Sequence, residues 1–486
     1  MNRSDYTSAL FTDFYELTMA QGYWKRGMSD SAVFDYFFRR QPFSGGYAVF
    51  AGLGSLIKDL EKFCFSSEDL EYLEGLGMFE PDFLRYLQDF RFEGRVLAAR
   101  EGEIVFPQEP LARIEADLIQ AQIVEGLVLN HLNFQSLIAT KAARVWLASG
   151  KGTVMEFGLR RAQGRDGALS ASRAAYIGGA TGTSNTLAGK EFDIPAMGTM
   201  AHSWVMSFKD ELESFKAYAQ IYPDSTAFLL DTYNSLESGL PNAIIAGAEL
   251  KTKGKNFGIR LDSGDIDYLS RETRKRLDAA GFPEAYIVAS NELDEEIIEH
   301  LVATGAPVNV WGVGTHMVTG GHESSFTGVY KLSAVRRNGV VESSMKFSDN
   351  PEKSTNPGMK QVYRLYGEDG AARVDLITLE GEEPKAGREV YAHHPAGDWR
   401  QFRFVPSKVE PLLVPAMEGG KGLEVVGNPA SARQYMQERI GMFDTTYLRM
   451  LNPHVYKVSI SSKLKELKLS YIRKYYRDQS VFSQKK

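Results

Sequence analysis

Short apolar segments alternate with polar, helix-like segments through the middle of the chain. Six of them have the length and composition of strands: 153–157, 194–197, 227–231, 256–262, 285–289 and 308–312. Helical periodicity between them covers 208–218, 236–250, 267–280 and 292–303. Repeated strand–helix units predict a parallel sheet covered by helices. We therefore expect an α/β fold built on an irregular, incomplete α/β barrel.

The flanking patterns divide the chain further. A hairpin is indicated around 41–46, and a long helical pattern over 116–148 is expected to break near 130–133. The predicted domains are an N-terminal β-rich domain (1–112), a helical connection (113–150), the α/β barrel (151–335), a β segment packing back on the N-terminal domain (336–410), and a mostly helical C-terminal extension (411–486).

Composition narrows the class of protein. Hydrophobic content of 43%, charged content of 24% and a net charge of -6 are ordinary for a globular protein and give no general attraction to nucleic acid or a membrane surface. One cysteine permits neither an intramolecular disulfide nor a cysteine-based zinc site. The sequence shows no signal peptide and no long apolar run, so we expect a cytoplasmic protein. The basic tail from 455 to 486 predicts a solvated helix, with a nucleic-acid arm as the alternative.

Polar side chains follow each predicted strand. In a βα barrel the active site forms at the carboxyl ends of the strands, so these residues predict one shared site. The residues concerned are Arg160, Thr199, His202, Asp231, Arg260, Asp262, Asn291 and Thr315. For any one of them the alternative is an ordinary turn residue or a member of an ion-pair network.

The residue types at these positions suit a phosphorylated ligand. Arg260 offers a fork for a carboxylate or phosphate, and Asp262 can bind sugar hydroxyls or Mg²⁺. Asp231 is a further acid for a metal or a ribose. The Gly312–Thr315 stretch, G-V-G-T, can hold a phosphate on backbone N–H groups. No segment has the P-loop spacing, so any ATP is held in another way.

Two further residues are candidates with plain alternatives. His202 lies in G-T-M-A-H-S-W (198–204) and is a candidate catalytic residue, although a lone histidine is more often a core or surface residue. Tyr15 points away from the apolar face of a predicted helix and is a candidate ligand or partner contact, although an ordinary amphipathic helix explains it equally well.

As a set, the motifs resemble the nicotinate phosphoribosyltransferase family over residues 12 to about 360. The matching stretches are T-D-F-Y-E-L-T-M-A (12–20), E-F-G-L-R-R-A-Q-G (156–164), G-G-A-T-G-T-S-N-T-L-A-G (178–189), G-T-M-A-H-S (198–203), L-D-T-Y-N (230–234), G-I-R-L-D-S-G-D (258–265) and W-G-V-G-T (311–315). The resemblance implies a type II phosphoribosyltransferase-like barrel with a composite β-rich domain, working as a homodimer. The sequence beyond about residue 410 carries no such motif.

The family's reaction joins nicotinate to phosphoribosyl pyrophosphate with ATP hydrolysis and Mg²⁺, as the first step of NAD salvage from nicotinate. By resemblance, His202 is transiently phosphorylated, Tyr15 stacks on the pyridine ring from the neighbouring subunit, Arg260 binds nicotinate, and Thr199 and Thr315 contact ligands. Asp231 and Asp262 are assigned to charge stabilisation, and Asp231 also to the metal. The residues expected to bind phosphoribosyl pyrophosphate are Arg160, Asn291, Gly312, Gly314 and Thr315.

Ser184 bears on which pyridine is used. In the related nicotinamide enzyme this segment carries an aspartate, which would repel the carboxylate of nicotinate, whereas a serine hydroxyl can donate to it. Three other functions are alternatives to a nicotinate phosphoribosyltransferase. They are a nicotinamide or quinolinate phosphoribosyltransferase, a sugar-phosphate isomerase or aldolase, and a non-catalytic sensor of NAD metabolites. A sugar-phosphate isomerase or aldolase would need a lysine or glutamate base at a strand end, and none stands out at the ends of the six predicted strands.

Overall fold

The computed structural model describes residues 7–348, 354–395, 401–424 and 426–483, with side chains up to Tyr475. The chain forms two compact units, one from Met1–Leu137 with Ser325–Lys486 and the other from Ile138–Ser324. No described helix combines the length and apolar character needed to cross a bilayer.

The first part of the chain mixes short strands with helices. Its strands are β1 (Thr7–Ser8), β2 (Ser31–Phe38), β3 (Ala48–Val49), β4 (Phe63–Cys64), β5 (Arg95–Ala98), β6 (Ile104–Val105) and β7 (Ala112–Asp117). Its helices are α1 (Phe14–Lys25), α2 (Leu53–Leu60), α3 (Ser67–Gly75), α4 (Pro81–Gln88), α5 (Leu118–Ile123) and α6 (Glu125–Ala148). Local signals fix these ends: Ser66 and Asp69 form a reciprocal capping box on α3, and Pro81 opens α4.

The central unit alternates strands and helices. Its strands are β8 (Thr153–Glu156), β9 (Gly182–Thr183), β10 (Ala227–Leu229), β11 (Gly258–Leu261), β12 (Tyr286–Ala289) and β13 (Val310–Val313). Its α-helices are α7 (Gly164–Ile177), α8 (Thr186–Phe192), α9 (His202–Met206), α10 (Glu211–Ile221), α11 (Leu240–Thr252), α12 (Ile266–Ala279), α13 (Glu295–Ala303) and α14 (Thr315–Thr319).

The last part of the chain is mainly β-structure followed by helices. Its strands are β14 (Gly328–Arg337), β15 (Val340–Ser343), β16 (Lys360–Tyr366), β17 (Ala372–Leu379), β18 (Val390–His393), β19 (Gln401–Phe404), β20 (Lys408–Pro411), β21 (Val414–Glu418), β22 (Lys421–Gly422) and β23 (Val458–Ser461). Its helices are α15 (Pro429–Ile440), α16 (Thr445–Leu448) and α17 (Ser462–Ser483).

Two large sheets organise the first unit. One runs in the order β15-β14-β2-β7-β5-β21-β22, and the other in the order β19-β18-β23-β17-β16-β20. The first sheet therefore combines strands from both ends of the chain. Its buried face joins the helices α1 to α5 and the first part of α6 in a large apolar core that includes Phe34, Phe63, Ile114 and Leu132. The early hairpin prediction is wrong, because β2 pairs with β7 and β14 while β3 pairs with β6.

The sheet of the central unit is entirely parallel, in the order β10-β11-β12-β13-β8-β9. Its strands are almost continuously apolar because helices cover them. All residues of this unit are described, and none of them bridges β9 to β10, so the barrel is incomplete as expected. The carboxyl ends of all six strands meet at one edge.

Several boundaries differ from the sequence patterns. The predicted strand 194–197 is a single bridge between Ala196 and Thr183, and β9 was missed because two residues give no detectable alternation. The predicted helix break near 130–133 is wrong, since α6 runs unbroken and the interruption lies at Val124. The strand β14, partly inside the predicted barrel range, pairs with β2. The C-terminal extension also supplies β21, β22 and β23 to the two large sheets.

Candidate active site

A cavity of about 290 Å³ opens at the carboxyl edge of the parallel sheet. Residues at the carboxyl ends of the strands from β8 to β11, or in the segments that follow them, form its wall. The lining residues are Phe157, Leu159, Arg160, Ser184, Gly198, Thr199, Met200, Ala201, His202, Leu229, Arg260 and Asp262. Six residues predicted for the site from sequence therefore share one cavity: Arg160, Ser184, Thr199, His202, Arg260 and Asp262.

Arg260, on strand β11, is held rigidly at the cavity wall. Its guanidinium donates from Nη1 to Thr199 Oγ1 at 2.9 Å, from Nη2 to Asp262 Oδ1 at 2.8 Å and from Nε to Ser290 Oγ at 3.0 Å. A second Nη1 hydrogen faces Met200 O at 3.5 Å, which is a weak contact. The second Nη2 hydrogen has no partner in the described part of the chain. A fixed cation with donor capacity left over suits an anionic ligand.

His202, Asp231 and Asp262 form a second group at the same edge. One possible ligand atom from each lies within 4.8 Å of the others, in a search of the described residues. His202 Nε2 lies 3.3 Å from Asp231 Oδ1, and Ser263 Oγ donates to Asp231 Oδ2 at 2.6 Å. The His202 side chain remains 40% exposed, whereas that of Asp231 is only 5% exposed. The imidazole is thus oriented by a buried carboxylate and open to a ligand.

Ser184 and Thr199 play different parts in the geometry. The Thr199 hydroxyl accepts from Arg260 and faces Met200 O at 3.3 Å, so it holds the arginine. The Ser184 hydroxyl lines the cavity without a hydrogen-bond partner among the described residues. Its backbone N–H donates to Glu156 O at 2.9 Å, which fixes the residue behind the end of β8. Ser184 is therefore the hydroxyl left available for a ligand.

The remaining predicted phosphate residues lie at the same edge but outside the cavity lining. Asn291 follows β12 with a left-handed φ of 86°, and Thr315 begins α14 with its hydroxyl 3.4 Å from Glu292 Oε1. Gly312 lies inside β13, where an added Cβ would approach the Phe157 ring to 2.8 Å. At Gly314 the corresponding distance is 3.3 Å, to Phe157 O. Close packing against Phe157 thus explains why a glycine occupies position 312. Phosphate binding by Asn291, Gly312, Gly314 and Thr315 stays a prediction.

Tyr15 belongs to the other compact unit, as the second residue of α1. It is 48% exposed, and partial burial with nearby Glu125 raises the pKa of its hydroxyl, so the phenol is neutral. Exposed Phe11, Phe14 and Met19 accompany it. Stacking of Tyr15 on a ring bound by a second subunit stays a prediction.

Sequence reasoning assigned no role in the site to two residues that shape the cavity. Phe157 follows β8, and the Arg260 guanidinium lies 5.7 Å from the centre of its ring. Ser290 donates to Asp262 and accepts from Arg260, joining the ends of β11 and β12. Phe157 continues an apolar strand and has no signal of its own. Ser290 was visible as a polar strand-end residue, but only its contacts distinguish it from a turn residue.

The fold and the site together define a class. The crystal structure of nicotinate-nucleotide pyrophosphorylase from Pyrococcus furiosus superposes with a TM-score of 0.69, covering 89% of this chain and 95% of that one, at 23% identity. At that identity the likeness is one of fold. The protein is an α/β enzyme with the incomplete barrel of the type II phosphoribosyltransferases and a β-rich second domain.

Sequence comparison defines the family. Models described as the nicotinate phosphoribosyltransferase N-terminal domain, family and C-terminal domain match residues 10–133, 153–366 and 359–468. Nicotinate phosphoribosyltransferase of Bacillus subtilis is 41% identical over 464 residues, 94% of each chain, and the Homo sapiens enzyme is 35% identical over 94% of this chain and 95% of that one. The crystal structure of human nicotinic acid phosphoribosyltransferase gives a TM-score of 0.84 at 33% identity, covering 94% and 99%. The chain belongs to the nicotinate phosphoribosyltransferase family.

Proposed function

We propose that this chain transfers the phosphoribosyl group to nicotinate with coupled ATP hydrolysis. Nicotinate, phosphoribosyl pyrophosphate, ATP and water give nicotinate mononucleotide, pyrophosphate, ADP and phosphate. The observation that carries the proposal is the Arg260 guanidinium, fixed by Thr199, Asp262 and Ser290 at the wall of the cavity that also contains His202. Family membership supports the same reaction.

Recognition of nicotinate follows from two donors. Arg260 has N–H capacity left for a carboxylate, and the Ser184 hydroxyl has no hydrogen-bond partner among the described residues. Nicotinamide presents a neutral amide, which forgoes the charge-assisted hydrogen bond to arginine. We therefore expect the acid to be preferred over the amide.

The bond-making step needs little acid–base chemistry. The pyridine nitrogen attacks C1 of the ribose, the bond from C1 to the pyrophosphate oxygen breaks, and the pyrophosphate leaves with its electron pair. Positive charge develops on the sugar during this exchange. Asp231 and Asp262 place carboxylates at the cavity edge, where they can stabilise that charge, while positioning supplies much of the remaining acceleration.

The donor set near His202 fits Mg²⁺ in part. Mg²⁺ prefers oxygen ligands, and Asp231 and Asp262 supply carboxylates within 4.8 Å of each other. Oδ2 of Asp262 has no hydrogen-bond partner in the described part of the chain. Bound Mg²⁺ would neutralise charge on the leaving pyrophosphate. Asp231 and Asp262 are the residues we assign to hold it.

His202 is the residue through which ATP hydrolysis is coupled in this proposal. The γ-phosphoryl group of ATP transfers to an imidazole nitrogen, ADP leaves, and water later cleaves the N–P bond to release phosphate. Asp231 orients the imidazole ring of His202, and the exposed face of that ring lies in the cavity. A phosphorylated His202 would alter ligand affinity, so that ATP free energy is expressed as differential binding.

Replacement of the histidine tests this step. His202→Ala is expected to abolish ATP hydrolysis and to leave slow phosphoribosyl transfer that ATP does not accelerate. His300→Ala, at an exposed histidine in the last turn of α13, is the matched control. Full ATPase activity in His202→Ala would refute the phosphohistidine.

A direct assay tests the whole proposal. The protein is incubated with Mg²⁺, phosphoribosyl pyrophosphate and nicotinate, nicotinamide or quinolinate, with and without ATP, and mononucleotide and ADP are quantified. We expect nicotinate mononucleotide, more of it with ATP, and little product from the other two. Product mainly from nicotinamide or quinolinate would overturn the assignment of Arg260 and Ser184. Size measurement of the native protein in solution checks the proposed homodimer, to which Tyr15 would contribute.

A further inference from the structure

Glu156 is a buried carboxylate that the reaction does not use. It is the last residue of β8 and is fully buried. No cation pairs with it among the described residues. Instead its Oε1 accepts from the Gly158 backbone N–H, and its Oε2 accepts from Ser172 Oγ at 2.8 Å and Thr183 Oγ1 at 2.5 Å. Hydrogen bonds alone compensate for burying this side chain.

The three donors come from three different segments around the cavity. Gly158 begins the turn that carries Leu159 and Arg160 into the cavity wall. Thr183 directly precedes Ser184, which also lines the cavity. Ser172 lies on α7, behind both. One carboxylate thus connects the Arg160 wall to the Ser184 wall.

A second set of hydrogen bonds extends the connection. The Asn185 N–H donates to Thr183 Oγ1 at 3.0 Å, and Asn185 Nδ2 lies 3.3 Å from Ser172 Oγ. Asn185 Oδ1 accepts from the Ala188 N–H and caps α8. Ser184 is therefore flanked on both sides by residues tied to Glu156 or to its partners.

We propose that Glu156 is a positioning residue whose carboxylate fixes Arg160 and Ser184 relative to each other and so sets the affinity for the pyridine substrate. The inference rests on the proposed function, because it takes nicotinate as the ligand of Ser184. The role is geometric rather than electrostatic, since Glu156 is sealed from the cavity behind the residues it holds.

The chemistry of the network predicts which replacement is tolerated. A backbone N–H can only donate, so an oxygen must stay at the Oε1 position. The Oε2 position faces two hydroxyls, and hydroxyls can accept as well as donate. In Glu156→Gln the amide oxygen accepts from Gly158, and the amide nitrogen donates to Thr183 and to Ser172, whose own hydrogen turns to Ala168 O, 2.9 Å away. Only the Thr183 hydroxyl hydrogen loses its acceptor, Glu156 Oε2. Methionine, of similar size, satisfies none of the three donors.

The test compares these two variants by steady-state kinetics. Glu156→Met is expected to raise KM for nicotinate roughly tenfold or more, with a smaller change in kcat, because ground-state contacts are lost. The KM of Glu156→Gln should stay within about threefold of that of the unmodified enzyme, since one hydrogen bond to each of Gly158, Ser172 and Thr183 is retained. Glu295→Gln, at another buried glutamate of the same unit, should lower Tm without changing KM. If Glu156→Met does not fold, Thr183→Val removes one of the donors at nearly constant volume and should raise KM in the same direction.

Two results would overturn the positioning role. The first is an unchanged KM for nicotinate in Glu156→Met, or in Thr183→Val if Glu156→Met does not fold. The second is a rise in KM in Glu156→Gln as large as the rise in Glu156→Met. Hydrogen exchange of the backbone amides at 158–161 and 184–185 gives an independent readout, with faster exchange expected in Glu156→Met only. If the unmodified enzyme makes no nicotinate mononucleotide, the proposed function fails, while the exchange data still report whether Glu156 holds the two walls.

Discussion

Two clusters of arginine and carboxylate residues in this protein differ in burial and in access to a cavity. In the first unit, Arg364 is fully buried and donates to both oxygens of Asp375, to Glu103 and to Ile104 O. In the second unit, the side chains of Arg260 and Asp262 are 14% and 22% exposed and line a cavity. Both clusters contain an arginine bonded to an aspartate at 2.8 Å.

The buried cluster uses most of its own donors on protein acceptors. Arg364 uses four of its N–H groups on protein acceptors, and Arg439 donates to Glu103 at 3.0 Å and to Glu410 at 2.8 Å. Burial alone would raise the pKa of Glu103, but Arg364 and Arg439 outweigh it and lower that pKa. The cluster joins β16, β17 and α15, and the side chains of Arg364, Glu103 and Asp375 are at most 2% exposed.

The cluster at the cavity leaves some hydrogen-bond donors and acceptors unused. One N–H of Arg260, the Ser184 hydroxyl and one oxygen of Asp262 lack partners among the described residues, and they lie at one edge of a sheet. The same residue types therefore serve structure when most of their hydrogen bonds are made inside the fold, and binding when unused donors and acceptors face a cavity.

The largest effect is expected from the buried cluster. Arg364→Ala leaves Asp375 and Glu103 buried without their main cation, which costs about 3–5 kcal/mol of unfolding free energy. We expect a large fall in Tm or loss of soluble protein, measured by thermal denaturation. Arg373→Ala, at an exposed arginine of the same sheet, should change Tm little, because surface ion pairs contribute little. A stable Arg364→Ala protein would show that the network is dispensable.

Arg260 should show the opposite profile. Arg260→Ala is expected to lower kcat/KM for nicotinate about 100-fold, which corresponds to about 2.7 kcal/mol, while Tm changes little. Arg260→Lys should recover only part of the loss, because an ammonium cannot reproduce the fork that binds Thr199, Asp262 and a ligand together. Arg271→Ala, at an exposed arginine of α12, serves as the control for kinetics. Unchanged kcat/KM in Arg260→Ala would remove it from the site.

Glu16 is a buried carboxyl group that forms no ion pair with any residue in the described ranges. Burial and the nearby Glu125 raise its pKa from 4.5 to about 8, with Asp13 adding to the effect. Lys331 lies 3.5 Å from Glu125 and only partly offsets this charge. Because the folded state holds a proton that the unfolded state has lost, stability should decline as pH rises from about 5 toward 8.

Glu16→Gln removes this titration. Its apparent Tm should fall less between pH 5 and 8 than that of the unmodified protein, and at pH 8 it should be the more stable of the two. Glu71→Gln, at an exposed glutamate of α3, should leave the pH dependence as it is. Parallel pH profiles for Glu16→Gln and the unmodified protein would contradict the raised pKa of Glu16.

Sequence patterns predicted much of the central unit because parallel strands covered by helices are short, apolar and regularly spaced. Five of the six predicted strands are present there as strands, within a few residues. The failures have physical causes. The two-residue strand β9 is too short for any periodicity, and the pairing of β2 with β7 and β14 joins segments up to about 300 residues apart. Local patterns do not encode which distant edge a strand will choose.

The sequence by itself determined the family, the βα rhythm and the residue types at the strand ends, because motifs and periodicity are local properties of the chain. Only the tertiary structure decided which of those residues share a cavity: it gathered Arg160, Ser184, Thr199, His202, Arg260 and Asp262, and gave Gly312 a packing role. It also distinguished Arg260 from Arg364, which look alike in sequence. The reason is that donor saturation and burial depend on neighbours brought together by folding, and no local pattern records them.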